Sequence, residues 1–307
     1  MAKLNHKPGA QRNSFRPDAI ETFQVTDDDT TLLSFLQSAM PSRPRTAVKA
    51  LLKYGQVRVG MTPVTQWDAP LKAGDEVQVN FTRPFHVFRN PRLRLVYEDD
   101  DIIVVNKGYG LLSVSTDNKK EGTAYAILRE YVKWNNPANK IFIVHRLDRD
   151  TSGLMVFAKN IEAKEALQHN WNNMVLERKY LAVVEGVPEH ESDTIRSYLA
   201  ENSRHEVYST DVAGEGQLAV TRYSTLMKGK GRAMLEVDLD TGRKNQIRVH
   251  MKEMGHPIVG DRRYGGGVSP IHRLALHART LRFAHPVTRQ EMAFTTPIPA
   301  SFLSLVR

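Results

Sequence analysis

Residues Val144–Phe157 read V-H-R-L-D-R-D-T-S-G-L-M-V-F. One carboxylate, Asp148, stands between Arg146 and Arg149, and the polar cluster runs directly into an apolar stretch. A folding core has no use for such a cluster, whereas a site that must hold one ionised aspartate in a rigid turn does. Such a carboxylate can serve as nucleophile or as general base. A guanidinium within about 4–6 Å favours its charged form. Asp148, Asp150, Ser152 and Gly153 also match the start of a calcium loop, but position twelve of that loop must be a bidentate Glu and is Lys159 here. A plain structural turn would equally use Asp, Thr, Ser and Gly ahead of a strand.

The elements around this turn can be read from periodicity. The apolar run ends near Lys159, and Asn160 suits the cap of a helix reaching about Asn173. Upstream, Val96 to Lys107 pairs a cluster of acids, read as a hairpin turn, with the buried-strand pattern Ile102-Ile103-Val104-Val105. Thr123 to Trp134 has the spacing of an amphipathic helix. Strands are expected at 179–186, 217–227 and 233–240, and a helix near 245–254. Strands dominate without a regular βαβ order, so the fold class is α+β, with a large mixed or antiparallel sheet flanked by helices.

The first part of the chain has a different texture. Residues 1–25 read as a flexible arm. A short helix is expected to open at Thr31 and a second to run from about Arg43 to Tyr54, burying Val48, Leu51 and Leu52. Arg45, Lys49 and Lys53 recur every four residues and form one cationic stripe, extended by Arg43 and Arg58. Short strands alternate at Gln56–Val59 and Glu76–Val79. This helix–helix–strand order, with L-L-K-Y-G-Q-V-R-V and L-K-A-G-D-E-V-Q-V, resembles the S-four RNA-binding module, named for a small-subunit ribosomal protein. Pro44 departs from that module's usual Ser-Arg-Ser. The stripe beside an apolar face suits phosphate binding. The expected division is an arm at 1–25, an S-four-like domain at 26–83, a linker at 84–94 and a catalytic domain at 95–307.

The pattern H-R-L-D-x-x-T-S-G-L resembles the catalytic motif of the RluA-like pseudouridine synthases, which modify uridines in structured RNA. Further segments keep that family's order. Glu98-Asp99 through Lys107 resembles its E-D-x-x-x-x-x-x-K-P, with Gly108 in place of Pro. Arg178-Lys179-Tyr180-Leu181-Ala182 resembles K-x-Y-x-A, and Thr241 to His250 resembles T-G-R-x-H-Q-I-R-x-H, with Asn245 where His is common. Gly255 to Asp261 and Arg273 to Ala278 complete the series. The resemblance implies Asp148 as the catalytic carboxylate, Tyr180 as the ring against the target base, and Arg248 as the basic partner of the aspartate. It implies Arg146 in base displacement and Arg243 in RNA contact, beside Arg43, Arg45, Lys49 and Lys53. The kinase catalytic loop, with Arg and Asp adjacent, does not fit.

Bulk properties agree with an anionic partner: 307 residues carry a net charge of +9 and a pI of about 9.6. No cysteine is present, which excludes disulfides, thiolate catalysis and cysteine-bound zinc. His145, His250, His256 and His277 occur without H-E-x-x-H, so polar packing or RNA contact is expected and no metal. Isomerising uridine requires no cofactor. Met1 to Pro17 lacks the apolar core of a signal peptide, and no run approaches the ~20 apolar residues of a membrane span, so a cytoplasmic monomer without membrane contact is expected. The expected partner is RNA, ribosomal RNA of the large subunit ahead of tRNA. The rival readings are a non-catalytic RNA-binding or assembly factor that keeps the fold, and a nucleoside or glycoside hydrolase.

Overall fold

All side chains of the strand Ser152–Ala158 are buried, as its run of Leu, Met, Val and Phe requires. It is the hinge of an 11-stranded mixed sheet. On one side it pairs antiparallel with Ile102–Lys107, which pairs with Leu93–Glu98. On the other it pairs parallel with Leu276–Ala284, through Ser152 with His277 and Gly153 with Ala278. From there the strands Val175–Glu185, Arg232–Leu239, Gln217–Gly229, Ser192–Glu201 and Val207–Thr210 follow in spatial order, all antiparallel. Glu291–Thr295 and Phe142–Ile143 add short pairings at the centre. The α+β expectation with a large mixed sheet holds.

The structure is a computed structural model that describes residues 19–60, 62–115, 122–210, 212, 214–265 and 267–307. It divides into two units, residues 19–87 with 134–138, and residues 88–133 with 139–307. In the first unit, helices Leu32–Ala39 and Arg45–Lys53 accompany a four-stranded sheet in the order Ile20–Gln24, Glu76–Asn80, Val57–Val59, Thr62–Pro63. Helix Arg45–Lys53 buries Val48, Leu51 and Leu52, and Pro44 stands at its N-cap, where its fixed φ costs nothing. The expectation of an arm to residue 25 fails for Ile20–Gln24. These residues form a strand in full register with Glu76–Asn80, from Ile20 opposite Asn80 to Gln24 opposite Glu76. Residues 1–18 lie outside the described residues.

The second unit follows its expected elements with local differences. Asp99 accepts the N–H groups of Asp101 and Ile102, each at 2.8 Å, and closes the acid-rich hairpin turn. Asn160 caps helix Ile161–His169 by accepting the N–H of Ala163 at 2.8 Å. That helix stops at His169 rather than near Asn173, and Trp171–Met174 forms a separate turn of helix. Among the described residues no helix is long and apolar enough to cross a membrane.

Gly153 fixes the point where the sheet changes direction. Its φ is 121°, and a Cβ there would lie 2.2 Å from the carbonyl oxygen of Ala278. Only glycine permits that approach. Gly153→Ala should therefore lower unfolding free energy by at least about 2 kcal/mol, read from the midpoint of urea denaturation. A midpoint equal to wild type would mean that the two strands do not meet this closely.

Candidate active site

The turn that carries Asp148 precedes the buried strand and is tied down at several points. Ser113 Oγ donates to the Leu147 carbonyl at 2.7 Å and accepts the Leu147 N–H at 3.1 Å. Lys107, at the end of its strand and fully buried, donates from Nζ to the carbonyls of Leu111 at 2.8 Å and Arg149 at 3.1 Å. Burial pushes the Lys107 ammonium down to about 8, against the opposing pull of Asp148 and Asp150. Beside it, the N–H of Gly108 donates to the Arg92 carbonyl at 2.7 Å, a bond that the family's usual proline cannot make.

Tyr180 reaches the same place through sheet register. It lies opposite Ala278, which lies opposite Gly153, five residues after Asp148. Arg248 comes from helix Gln246–Glu253. Its guanidinium is held on three sides. Nε and Nη2 each donate to Asp261 at 2.8 Å in a bidentate pair, and Nη1 donates to Asn245 Oδ1 at 2.9 Å. The ring of Tyr264 lies 5.0 Å below. The same Nη1 stands 3.8 Å from Asp148 Oδ2, an ion pair at the outer limit of contact.

Asn245 is the departure from the family pattern, and it is wired into this assembly. It adopts the left-handed conformation, φ 54°, at the N-cap of the helix. Its side-chain oxygen takes Arg248, and its Nδ2 donates to the Tyr264 hydroxyl at 3.2 Å.

Asp148, Tyr180, Arg248, Arg146 and Arg243 all line one cavity of about 460 Å³. Arg178 and Lys244 line it too, and Asp148 is the single carboxylate among its lining residues. Arg43, Arg45, Lys49 and Lys53 belong to the first unit and are exposed there. Two opposed influences act on Asp148. Burial raises its pKa and dominates, while Arg248, Arg146 and Lys107 pull it down. Tyr180 is likewise pushed up by burial and stays a neutral ring.

The four histidines of the motifs each hydrogen-bond neighbouring protein groups, and His145 also lines the cavity. His145 Nε2 accepts the Val156 N–H at 3.0 Å while its ring lies 4.6 Å from that of Trp171, and burial pushes it down to about 3. His250 sits between Ser197 and Thr221, and His277 between Ser152 and Thr296, each pushed down to about 4 by burial. His256 Nδ1 hydrogen-bonds the Glu185 carbonyl oxygen. Asp99, Asp101 and His285 approach one another closely enough to hold a metal ion. However, His285 Nδ1 accepts the N–H groups of Val287 and Thr288 while Nε2 faces Asp99, so both ring nitrogens are engaged.

The RNA pseudouridylate synthase family matches residues 101–253. The chain is 35% identical over 279 residues to the uncharacterized RNA pseudouridine synthase YlyB of Bacillus subtilis, covering 89% of this chain and 91% of that one. The chain belongs to the RNA pseudouridine synthase family. The synthase is also 36% identical over 233 residues to ribosomal large subunit pseudouridine synthase D of Haemophilus influenzae, covering 71% of each chain. The solved structure of human RNA pseudouridylate synthase domain containing 1 is similar with a TM-score of 0.58 at 27% identity, over 72% of this chain and 89% of that chain. The synthase is accordingly an isomerase acting on RNA.

Sequence reading missed two members of this site. Lys107 and Asp261 both lie in motifs that were recognisable, but neither motif says that Lys107 pins the carbonyl next to Asp148 or that Asp261 grips Arg248. The one available signal for Lys107 was a charge at the end of a strand that opens with four apolar residues.

The Asp261 side chain is fully buried and that of Arg248 is 13% exposed, so removing one partner leaves an uncompensated buried charge. Asp261→Ala is expected to cost about 3–5 kcal/mol of stability in urea denaturation. The paired replacement Arg248→Met, Asp261→Leu should recover most of that stability while losing turnover. If the pair is as unstable as the single variant, the salt bridge holds the fold and its role at Asp148 is secondary.

Proposed function

We propose that the synthase converts uridine to pseudouridine in ribosomal RNA of the large subunit, with Asp148 attacking the ribose–base unit. The observation that carries this reading is a lone carboxylate in a cavity walled by Arg146, Arg178, Arg243, Lys244 and Arg248. Asp148 acts at the ribose, as a nucleophile on C1′ or as a base that yields a glycal. In either route the N1–C1′ electron pair leaves with the uracil. The surrounding cations stabilise the charge that this base then carries. The base turns against the Tyr180 ring and C5 bonds to C1′, displacing the Asp148 carboxylate from C1′ in the first route or adding to the glycal as Asp148 returns its proton to C2′ in the second; the hydrogen on C5 then leaves as a proton, and N1 gains one. The base keeps all its ring atoms and nothing is oxidised or reduced, so no cofactor enters.

A hydrolase fits the cavity less well, because glycosidases use two carboxylates about 5–10 Å apart. Here the second carboxylate nearby, Asp261, is fully buried and committed to Arg248. The departures at Gly108 and Asn245 do not favour the non-catalytic reading: Asn245 holds Arg248 at the cavity, and the Gly108 N–H bonds the Arg92 carbonyl beside Lys107. Arg146 is exposed at the cavity wall, where a guanidinium can fill the gap left by an extruded base. The first unit acts as an S-four-like RNA grip through Arg43, Arg45, Lys49 and Lys53. Similarity to the Haemophilus influenzae protein favours ribosomal RNA over tRNA as the substrate.

Release of tritium from 5-tritiated uridine in unmodified ribosomal RNA tests this directly. Wild type should release it, while Asp148→Asn should bind the RNA equally well and lose turnover on the order of 10⁴-fold or more. Release confined to tRNA would overturn the substrate, and release by Asp148→Asn near the wild-type rate would remove Asp148 from its role.

A further inference from the structure

The charge of the first unit is segregated. From Thr30 to Trp67 the chain holds Arg43, Arg45, Lys49, Lys53 and Arg58 and no acid, while the unit's acids fall before and after that stretch. Arg45, Lys49 and Lys53 are all exposed and lie one helical turn apart. Beside the last two stand aromatic rings. Lys49 Nζ lies 5.9 Å from the ring centroid of Trp67, and Lys53 Nζ lies 5.8 Å from that of Tyr54. Trp67 is 54% exposed and Tyr54 62%, so neither ring serves the unit's core. That core gathers the opposite face of the same helix, Val48, Leu51 and Leu52, against Leu32, Leu36, Val57 and Val77.

Cations alone would suffice for a duplex, which presents phosphates and 2′-hydroxyls and keeps its base faces stacked inside. Flat exposed rings between cations suit a strand whose bases are free, because every unpaired base offers a π-face as well as a phosphate. We propose that Trp67 and Tyr54 are stacking platforms for unpaired bases, with Lys49 and Lys53 on the adjoining phosphates, so that this unit takes a single-stranded or looped segment of the RNA. The proposal rests on reading the unit as an RNA grip.

Base–aromatic stacking contributes about 1–3 kcal/mol per base, or roughly 5- to 150-fold in affinity. It releases few counterions, so it leaves the salt dependence of binding alone. The test uses the full chain and two fluorescent RNAs of about twelve nucleotides: an oligocytidylate, unpaired and devoid of uridine, and a blunt duplex. Anisotropy is followed across a potassium chloride series. Trp67→Leu and Tyr54→Leu should each weaken oligocytidylate binding at least about 5-fold with unchanged salt slope and unchanged duplex affinity, and Trp67→Phe should keep most of the affinity. Equal loss on both RNAs, a flattened slope, or no loss on the single strand would overturn the stacking role. Lys49→Glu with Lys53→Glu separates this from the underlying reading. If that double variant binds both RNAs as wild type does, with the same salt slope, the unit is not an RNA grip and the proposal falls with it.

Discussion

The site depends on the buried pairing of Arg248 with Asp261. A guanidinium that must influence a neighbouring carboxylate at 3.8 Å has to be aimed, since at that distance no hydrogen bond aims it. The aim comes from the far side. Asp261 takes the Nε and Nη2 edge, Asn245 takes Nη1, and the Tyr264 ring sets the plane. Asp261 is itself fixed by accepting the N–H groups of Arg263 and Tyr264. Arg248 thus offers a fixed positive end to Asp148 without being neutralised by it. Lysine, a point charge with no fork, could not be held this way.

The sheet supplies the other half of the geometry. The parallel pairing of Ser152–Ala158 with Leu276–Ala284 brings the start of the motif strand beside the strand next to Tyr180. The antiparallel pairing on the opposite side brings Lys107 under the turn. Burial of this turn has a cost for Asp148, whose carboxyl is pushed toward its neutral form. The surrounding cations offset that cost in part.

Much of this was legible in the chain because its chemistry comes in ordered local motifs. Asp148, Tyr180 and Arg248 could each be named because their segments resemble the family's motifs, and all three line one cavity. The strand Ser152–Ala158 and the cap at Asn160 followed from short-range pattern. What escaped was set by long-range pairing. Ile20–Gln24 reads as a polar arm until Glu76–Asn80 is laid beside it. The strands Ser192–Glu201 and Leu276–Ala284 mix charged and apolar residues, and only their neighbours define them. Asp261 and Arg248 are thirteen residues apart, and nothing local says that they meet. Asn245 shows the opposite failure: a visible departure from the family pattern carried a structural role that only the geometry reveals.

The central claim is that Arg248 holds Asp148 toward its ionised form against burial. A carbon-13 titration of the Asp148 carboxyl tests it, comparing wild type with the double variant Arg248→Gln, Asp261→Asn, which removes Arg248 without leaving Asp261 as an unpaired buried charge. The wild-type carboxyl should titrate above the ordinary 3.8. In the double variant the midpoint should move higher still, so that at any given pH near it a larger fraction is protonated. An unchanged or lower midpoint would contradict the account, because Asp148 would then take its ionisation from something other than Arg248.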